Sequence, residues 1–318
     1  MIAEETEKKP SSTRAAPRRH PGRGRRRVLL TGATGFVGAE VQRQLLARGW
    51  EVVALARHPR SDTIAPGVIQ VAADITGDGW YRWCEGCSAA IHLVGIIREA
   101  PRQGITFDRL HRQATERVIE ACRLAGIPRL VHMSALGARA QGLAPYQRSK
   151  AAGEQAVRAS GLAWTIFRPS VIFGPGDGFS TTLARSLRRA PFFPIFGDGM
   201  YRLQPIAVEE VAEAFVAALE LSQTEKEIFD LGGPEALSFT EVLRRTCAGL
   251  AIRRTFFRLP LGLARAVIRV LQHLPGAPIT LDQLAMLVEG STCDTAAASL
   301  VLGLPRRRYE GPTWLAGR

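Results

Sequence analysis

The stretch TGATGFVG, residues Thr31 to Gly38, decides how this chain folds. It sets Gly32, Gly35 and Gly38 three residues apart, after the apolar run VLLTG (28–32) and before FVGAEVQRQLLARG (36–49). The first run reads as a strand. The second reads as a helix, with Val37, Val41, Leu45 and Leu46 on one face. A strand, a glycine-spaced turn and a helix in that order form a cradle for a pyrophosphate. A Cβ in the turn would hold the backbone away from the phosphates, and the free amides at the helix start accept their charge.

Outward from this turn the pattern repeats. EVVALAR (51–57), VIQVAAD (68–74), AAIHLVG (89–95), RLVHMSA (129–135) and LAWTIFRP (162–169) are short apolar strands. FDRLHRQATERVIEACRLAG (107–126) and YQRSKAAGEQAVRASG (146–161) are amphipathic helices between them. Near-continuous apolar strands with helical crossovers predict an α/β fold, a Rossmann-type doubly wound parallel sheet covered on both faces. Beyond Pro169 the chain turns Gly- and Pro-rich (VIFGPGDG), passes QPIAVEEVAEAFVAALE and EIFDLGG, and becomes mostly helical. No internal repeat is visible. The expected organisation is a disordered basic tail over 1–26, a nucleotide-binding domain over 27–235 and a smaller helical substrate lobe over 236–318. Residues 170–203 are expected to contribute to the substrate cleft.

The end of the second strand bears on cofactor choice. An NAD reader places Asp or Glu there for the ribose 2′-hydroxyl. This chain has Ala56 and then Arg57, and a guanidinium suits a 2′-phosphate that a carboxylate would repel. NADP(H) is therefore the preferred cofactor, with NAD(H) as the alternative. Asp74, followed by Ile75, ends the third strand; it is placed to meet an adenine or to close an ordinary turn.

Tyr146 and Lys150 are one helical turn apart, so they share a face, and Ser134 ends the strand before them. A free tyrosine is a poor base at neutral pH, with a pKa near ~10. A neighbouring ammonium favours its phenolate, and a serine hydroxyl can hold the substrate oxygen while Tyr146 passes the proton. Ser134, Tyr146 and Lys150 are the expected catalytic set.

TGATGFVG, HLVG, the Ser134/Tyr146/Lys150 set, RPSVIFGPGDG and QPIAVEEVA together resemble the short-chain dehydrogenase/reductase superfamily. The likeness is to its extended or atypical branch, the NAD-dependent epimerases and dehydratases. More narrowly, HLVGIIRE, FRPSVIFGPGDGF and the LGGP turn are similar to bacterial relatives of the nucleotide-binding accessory subunit of respiratory complex I. The resemblance spans about residues 27 to 290 and implies cofactor contacts beyond the glycines. Thr34, Phe36 and Val37 would join Gly32, Gly35 and Gly38 at the pyrophosphate, with Asp74, Ile75, Leu93, Val94 and Gly95 on the adenosine side. Lys150 would also reach the nicotinamide ribose, and the backbone at Pro169 and Val171 would approach the nicotinamide. The chain departs from the pattern at His111, where many extended members carry an asparagine; the histidine is either packed in its helix or part of a relay.

Composition limits the function classes. The formal net charge is +13, but residues 1–27 alone hold nine Lys/Arg against three acids, in a Pro-, Ser- and Gly-rich stretch with little to pack. That reads as a solvated leader, and nucleic acid is not an expected partner. No apolar run approaches the ~18 residues of a membrane span. GRGRRRVLLTGATGFVG imitates a signal sequence, but the three glycines that break its apolar part, Gly32, Gly35 and Gly38, belong to the turn; the chain is expected in the cytoplasm, at most peripheral to the inner face of a membrane. Five scattered cysteines, Cys84 and Cys87 among them, suggest free thiols and neither a zinc nor a redox site. In the lobe, Phe192, Phe193, Phe196 and Tyr201 are candidate pocket or core aromatics. LGLARAVIRVLQHL places Val267, Leu271 and Leu274 opposite Arg265, Arg269 and Gln272, a helix for its own lobe or for a membrane or partner. Two functions fit: an NADP(H)-dependent oxidoreductase or epimerase/dehydratase-type enzyme on a small apolar substrate, or a nucleotide-binding accessory protein of the respiratory chain that does not turn over.

Overall fold

The computed structural model describes residues 26–59, 65–272, 277, 279–304 and 307–316. Almost all of the expected basic tail, and Leu274 of the amphipathic helix, lie outside the described residues. In chain order the first half comprises β1 (Arg27–Thr31), α1 (Phe36–Ala47), β2 (Glu51–Ala56), β3 (Val68–Ala72), β4 (Ala89–His92), α2 (Ala114–Leu124), β5 (Arg129–Met133), α3 (Pro145–Arg158) and β6 (Ala163–Pro169). Then come β7 (Ile172–Phe173), α4 (Gly178–Arg189), β8 (Phe192–Phe196), β9 (Arg202–Leu203), β10 (Ile206–Ala207), α5 (Val208–Ala218) and β11 (Glu227–Leu231). The last stretch holds β12 (Leu237–Ser238), α6 (Phe239–Gly249), β13 (Thr255–Leu259), α7 (Leu261–Leu271), α8 (Leu281–Glu289) and α9 (Ala296–Leu302).

The central sheet runs β11-β6-β5-β4-β1-β2-β3, and every pairing in it is parallel. The order reverses between β1 and β4, the crevice where doubly wound sheets bind nucleotides. EIFDL, unassigned in the sequence, supplies the seventh strand beside β6. Two apolar layers cover the sheet. On one side Val37, Val41 and Leu45 of α1 pack with Val211 and Phe215 of α5; on the other, Val118 and Ile119 of α2 pack with Val157 of α3. The alternating burial of successive strand residues between the two layers (Val28 and Leu30 against Leu29) follows from the period of two.

The helix expected over 107–126 is not uniform. Asp108–Gln113 forms a π-helical turn before α2 begins. Here α3 presses close: a Cβ on Gly153 would stand 2.6 Å from the His111 carbonyl oxygen, which instead accepts the Thr115 hydroxyl at 2.6 Å. Such turns recur at functional sites.

A third apolar cluster, from α4, β8 and α6, forms the lobe, with Tyr201 stacked on Phe239 at 5.2 Å. Phe193 and Phe196 pack at its edges, while Phe192 is exposed. In α7 the buried residues are Ala264 and Ile268, while Val267 and Leu271 of the apolar face read from the sequence are 41% and 44% exposed. Finally, α9 leaves the lobe and returns Ala298 and Leu302 to the sheet core.

Candidate cofactor and proton-transfer site

The turn after β1 is shaped by absent atoms. Gly32 has φ +78°, and a Cβ there would press on the Leu93–Val94 backbone at 3.2 Å. A Cβ on Gly38 would lie 2.1 Å from the Gly32 carbonyl oxygen, so α1 can seat against β1 only with glycine at that position. Gly35 is the N-cap of α1 and makes no side-chain cap bond, and the first turn holds no acid. The amides of a helix start are thus left for an anion, and the cradle fits a dinucleotide pyrophosphate. Thr34 and Gly35 are exposed, Phe36 is half-buried and Val37 is buried.

Across the sheet edge, Ala56 is buried at the end of β2 and Arg57 is exposed just beyond it. Asp74 closes a turn: Oδ1 accepts the Thr76 amide and hydroxyl at 2.9 and 2.7 Å, and Oδ2 accepts Arg109 Nη2 at 3.4 Å. Those bonds, with Arg109 and Arg57 nearby, overcome the cost of burial and hold its carboxyl below the usual range. Ile75 is buried in the layer beneath. Leu93 is buried and Val94 half-buried above the turn, and Gly95 is exposed.

The other corner is built from side chains. Tyr146 lies edge-on to His111 (5.4 Å between centroids) and to Phe107 (5.8 Å). Lys150 is buried, and its Nζ donates to the Met133 carbonyl at 2.7 Å. A Cβ on Gly95 would meet that Nζ at 3.4 Å and His111 Nε2 at 3.5 Å, so the β4 loop rests on both. The Ile96 amide donates to His111 Nε2 at 3.0 Å, which makes Nε2 an acceptor and leaves the ring proton on Nδ1. Nδ1 therefore donates to Ser149 Oγ at 2.8 Å, and that hydroxyl donates to the Tyr146 carbonyl at 2.8 Å. His111 is a packed, neutral positioning group, its pKa lowered by burial to about 3.

Two expectations change here. Lys150 does not draw Tyr146 toward phenolate: burial pushes the phenol up to about 12, while burial brings Lys150 down to about 8 against the pull of Glu154. Ser134, at the end of β5, is 2% exposed and gives its hydroxyl to Glu154 Oε1 at 2.5 Å, so that proton is not offered to a substrate oxygen. Glu154 also takes a two-pronged bond from Arg168, at 2.7 and 2.5 Å. This Ser134–Glu154–Arg168 knot was missed in the sequence. Spacing puts Glu154 on the same helical face as Tyr146 and Lys150, but nothing in the sequence says that this glutamate is buried.

Below Lys150 lie two more histidines, facing each other across β4 and β5. His92 bonds Thr31 through Nδ1 at 2.7 Å and stacks on His132 at 5.3 Å; neither ring nitrogen of His132 meets a hydrogen-bond partner among the described residues. Burial holds both neutral. Pro169 ends β6 and accepts the Leu136 amide at 3.0 Å, while Val171 is half-buried against the lobe. Cys84, Cys87 and Cys122 are buried free thiols.

A parallel sheet with a bare glycine cradle at its switch point defines a dinucleotide-binding protein of the Rossmann type. The chain belongs to the NAD dependent epimerase/dehydratase family, whose model matches residues 28–232. It is 31% identical over 247 residues to a ceramide reductase of Caulobacter vibrioides, covering 73% of each chain. It is also 27% identical over 253 residues to NADH dehydrogenase [ubiquinone] 1 alpha subcomplex subunit 9 of Arabidopsis thaliana, covering 76% of this chain and 62% of that one. Among solved structures, MoeE5 in complex with UDP-glucuronic acid and NAD superposes with a TM-score of 0.71 at 24% identity, over 91% of this chain and 97% of that one. No helix of the described residues is long and apolar enough to cross a membrane.

Proposed function

We propose that this protein is an NADP(H)-dependent reductase of an apolar, lipid-like carbonyl compound, with Tyr146 as its proton donor. The observation that carries this reading is the placement of Tyr146, held edge-on by His111 and Phe107 with the buried Lys150 one helical turn on, at the same sheet edge as the glycine cradle. Reduced nicotinamide, when bound, supplies a hydride to a carbonyl carbon. Tyr146 then gives its proton to the oxygen that becomes negative, a task suited to a group still protonated at neutral pH. Lys150, buried one helical turn from Tyr146 and fixed by its bond to the Met133 carbonyl, holds the nicotinamide ribose. Gly32, Gly35 and Gly38 hold the pyrophosphate, and Arg57, with no carboxylate beside it on β2, receives a 2′-phosphate. The lipid-like substrate class is supported by the likeness to a ceramide reductase.

One observation favours a second reading, a nucleotide-binding accessory protein of the respiratory chain: the Ser134 hydroxyl is committed to Glu154, so the catalytic set is reduced to Tyr146 and Lys150. NADPH consumption with long-chain alkyl ketones separates the two. The wild type should oxidise NADPH with such a ketone, and Tyr146→Phe should lower turnover by ~10² or more while leaving the NADPH dissociation constant unchanged. Tight NADPH binding without turnover on any such ketone would transfer the case to the accessory reading.

A further inference from the structure

The lobe carries an exposed apolar surface that includes none of the residues assigned to the cofactor or to proton transfer. Strands β8 and β13 form a parallel ribbon with Phe192 opposite Thr255, Pro194 opposite Phe257 and Phe196 opposite Leu259, all on one face by the period of two. Helix α7 covers the far end of that face, where Ala264 and Ile268 pack with Phe196 and Leu259. The near end stays bare, with Phe192 61% exposed. The outer side of α7 is also apolar: Leu263, Val267 and Val270 recur at i, i+4 and i+7, and Val270 is 70% exposed. Arg265 and Arg269 flank that stripe, both exposed.

The charge around this face has one sign. From Val242 to Leu281 the chain holds seven arginines and no Asp or Glu, and although Arg244 and Arg245 pair with Glu241 and Glu235, Arg265 and Arg269 on α7 have no ion pair among the described residues; from Gly178 to Gly197 it holds three arginines and no acid. The arginines of the second segment lie on α4, which packs on the opposite side of the ribbon with Phe193 and Ile195, and line a cleft of about 380 Å³ as Arg185, Arg188 and Arg189 with Thr181 and Leu315. Arg254 ties the two segments by donating to the Leu187 carbonyl.

We infer that this face docks on an anionic lipid bilayer, with the α7 stripe and Phe192 entering the interface and Arg265 and Arg269 meeting lipid phosphates. A self-contact would set arginines against arginines, whereas an anionic leaflet matches both the exposed apolar stripe and its uncompensated positive rim. This inference stands apart from the catalytic reading, since it involves no cofactor or Tyr146 contact.

Flotation of the full chain with phosphatidylglycerol vesicles, against pure phosphatidylcholine vesicles, tests it. The basic tail is common to every variant, so comparison among variants isolates the lobe. Leu263→Glu/Val270→Glu changes only exposed side chains and should melt as the wild type does, yet lose on the order of tenfold in partition to phosphatidylglycerol. Arg265→Gln/Arg269→Gln should weaken the same partition and flatten its salt dependence. Wild-type partition that is equal for both lipids, or unchanged in both variants, would overturn the inference. So would a wild-type dimer in light scattering that Leu263→Glu/Val270→Glu dissolves, because the stripe would then belong to a second copy.

Discussion

Two corners of one sheet edge hold the candidate site, and they are made in opposite ways. The corner after β1 is defined by atoms that are missing: three glycines, an N-cap without a capping side chain and a first turn without an acid. The corner between β5 and α3 is defined by buried atoms that are present: Lys150 on a carbonyl, His111 clamped between two hydrogen bonds, and Glu154 shared by Ser134 and Arg168. The first kind of corner should fail by losing its ligand. The second should fail by losing its fold, because removing one member of a buried polar network strands the others.

The sharpest probe of that contrast is Glu154→Ala. It leaves Arg168 and Ser134 without their common acceptor and should cost about 3–5 kcal/mol in urea unfolding. A wild-type midpoint would mean that the second corner does not depend on its side chains. Next comes Gly38→Ala, whose methyl would enter the space of the Gly32 carbonyl oxygen. About 1–3 kcal/mol of overpacking is expected, with loss of NADPH binding in calorimetry as the dominant effect. If binding survived and only stability fell, the two corners would not differ in kind.

Acid should act through the buried histidines. His92, His111 and His132 are neutral in the fold with pKa values below the unfolded ~6.5, so the unfolded chain binds more protons as pH falls. Stability is therefore full above about pH 6.5 and lost below it, by up to about 1.4 kcal/mol per pH unit for each ring. Melting curves between about pH 7 and pH 5 should show this loss, with a shallower slope in His132→Phe. The smallest effect is expected at Arg57→Ala. Its guanidinium is exposed, so NADPH should weaken by only about 1 kcal/mol, near fivefold, with NADH unchanged. Equal losses for both cofactors would remove Arg57 as the phosphate reader.

The same contrast explains what could be read in the sequence. A glycine every third residue after an apolar strand has few meanings, so β1, the cradle and α1 were legible, and the alternation of strands and helices carried the sheet with them. Tyr146 and Lys150 were legible through their spacing. Glu154 was not, because a glutamate on a helix normally faces water, and only the arrival of Arg168 from β6 makes it a buried acceptor. The π-helical turn at His111 left no local sign, since the pressing of Gly153 against it is a tertiary event. In α7, periodicity could not choose between two apolar stripes. The lobe took Ala264 and Ile268, the small and well-shaped pair, and left the bulkier stripe outside.

The path of α9 has a consequence for synthesis. The sheet has all seven strands once Leu231 is made, yet its core is completed by Ala298 and Leu302 from near the other end of the chain. While the chain grows on the ribosome, the apolar surface of α5 and β11 that these residues cover stands open until some seventy more residues have been added, about 4–14 s at ~5–20 residues per second. Chains released early, at about residue 290, would carry every element of the cofactor cradle and still be substrates for chaperones and proteases.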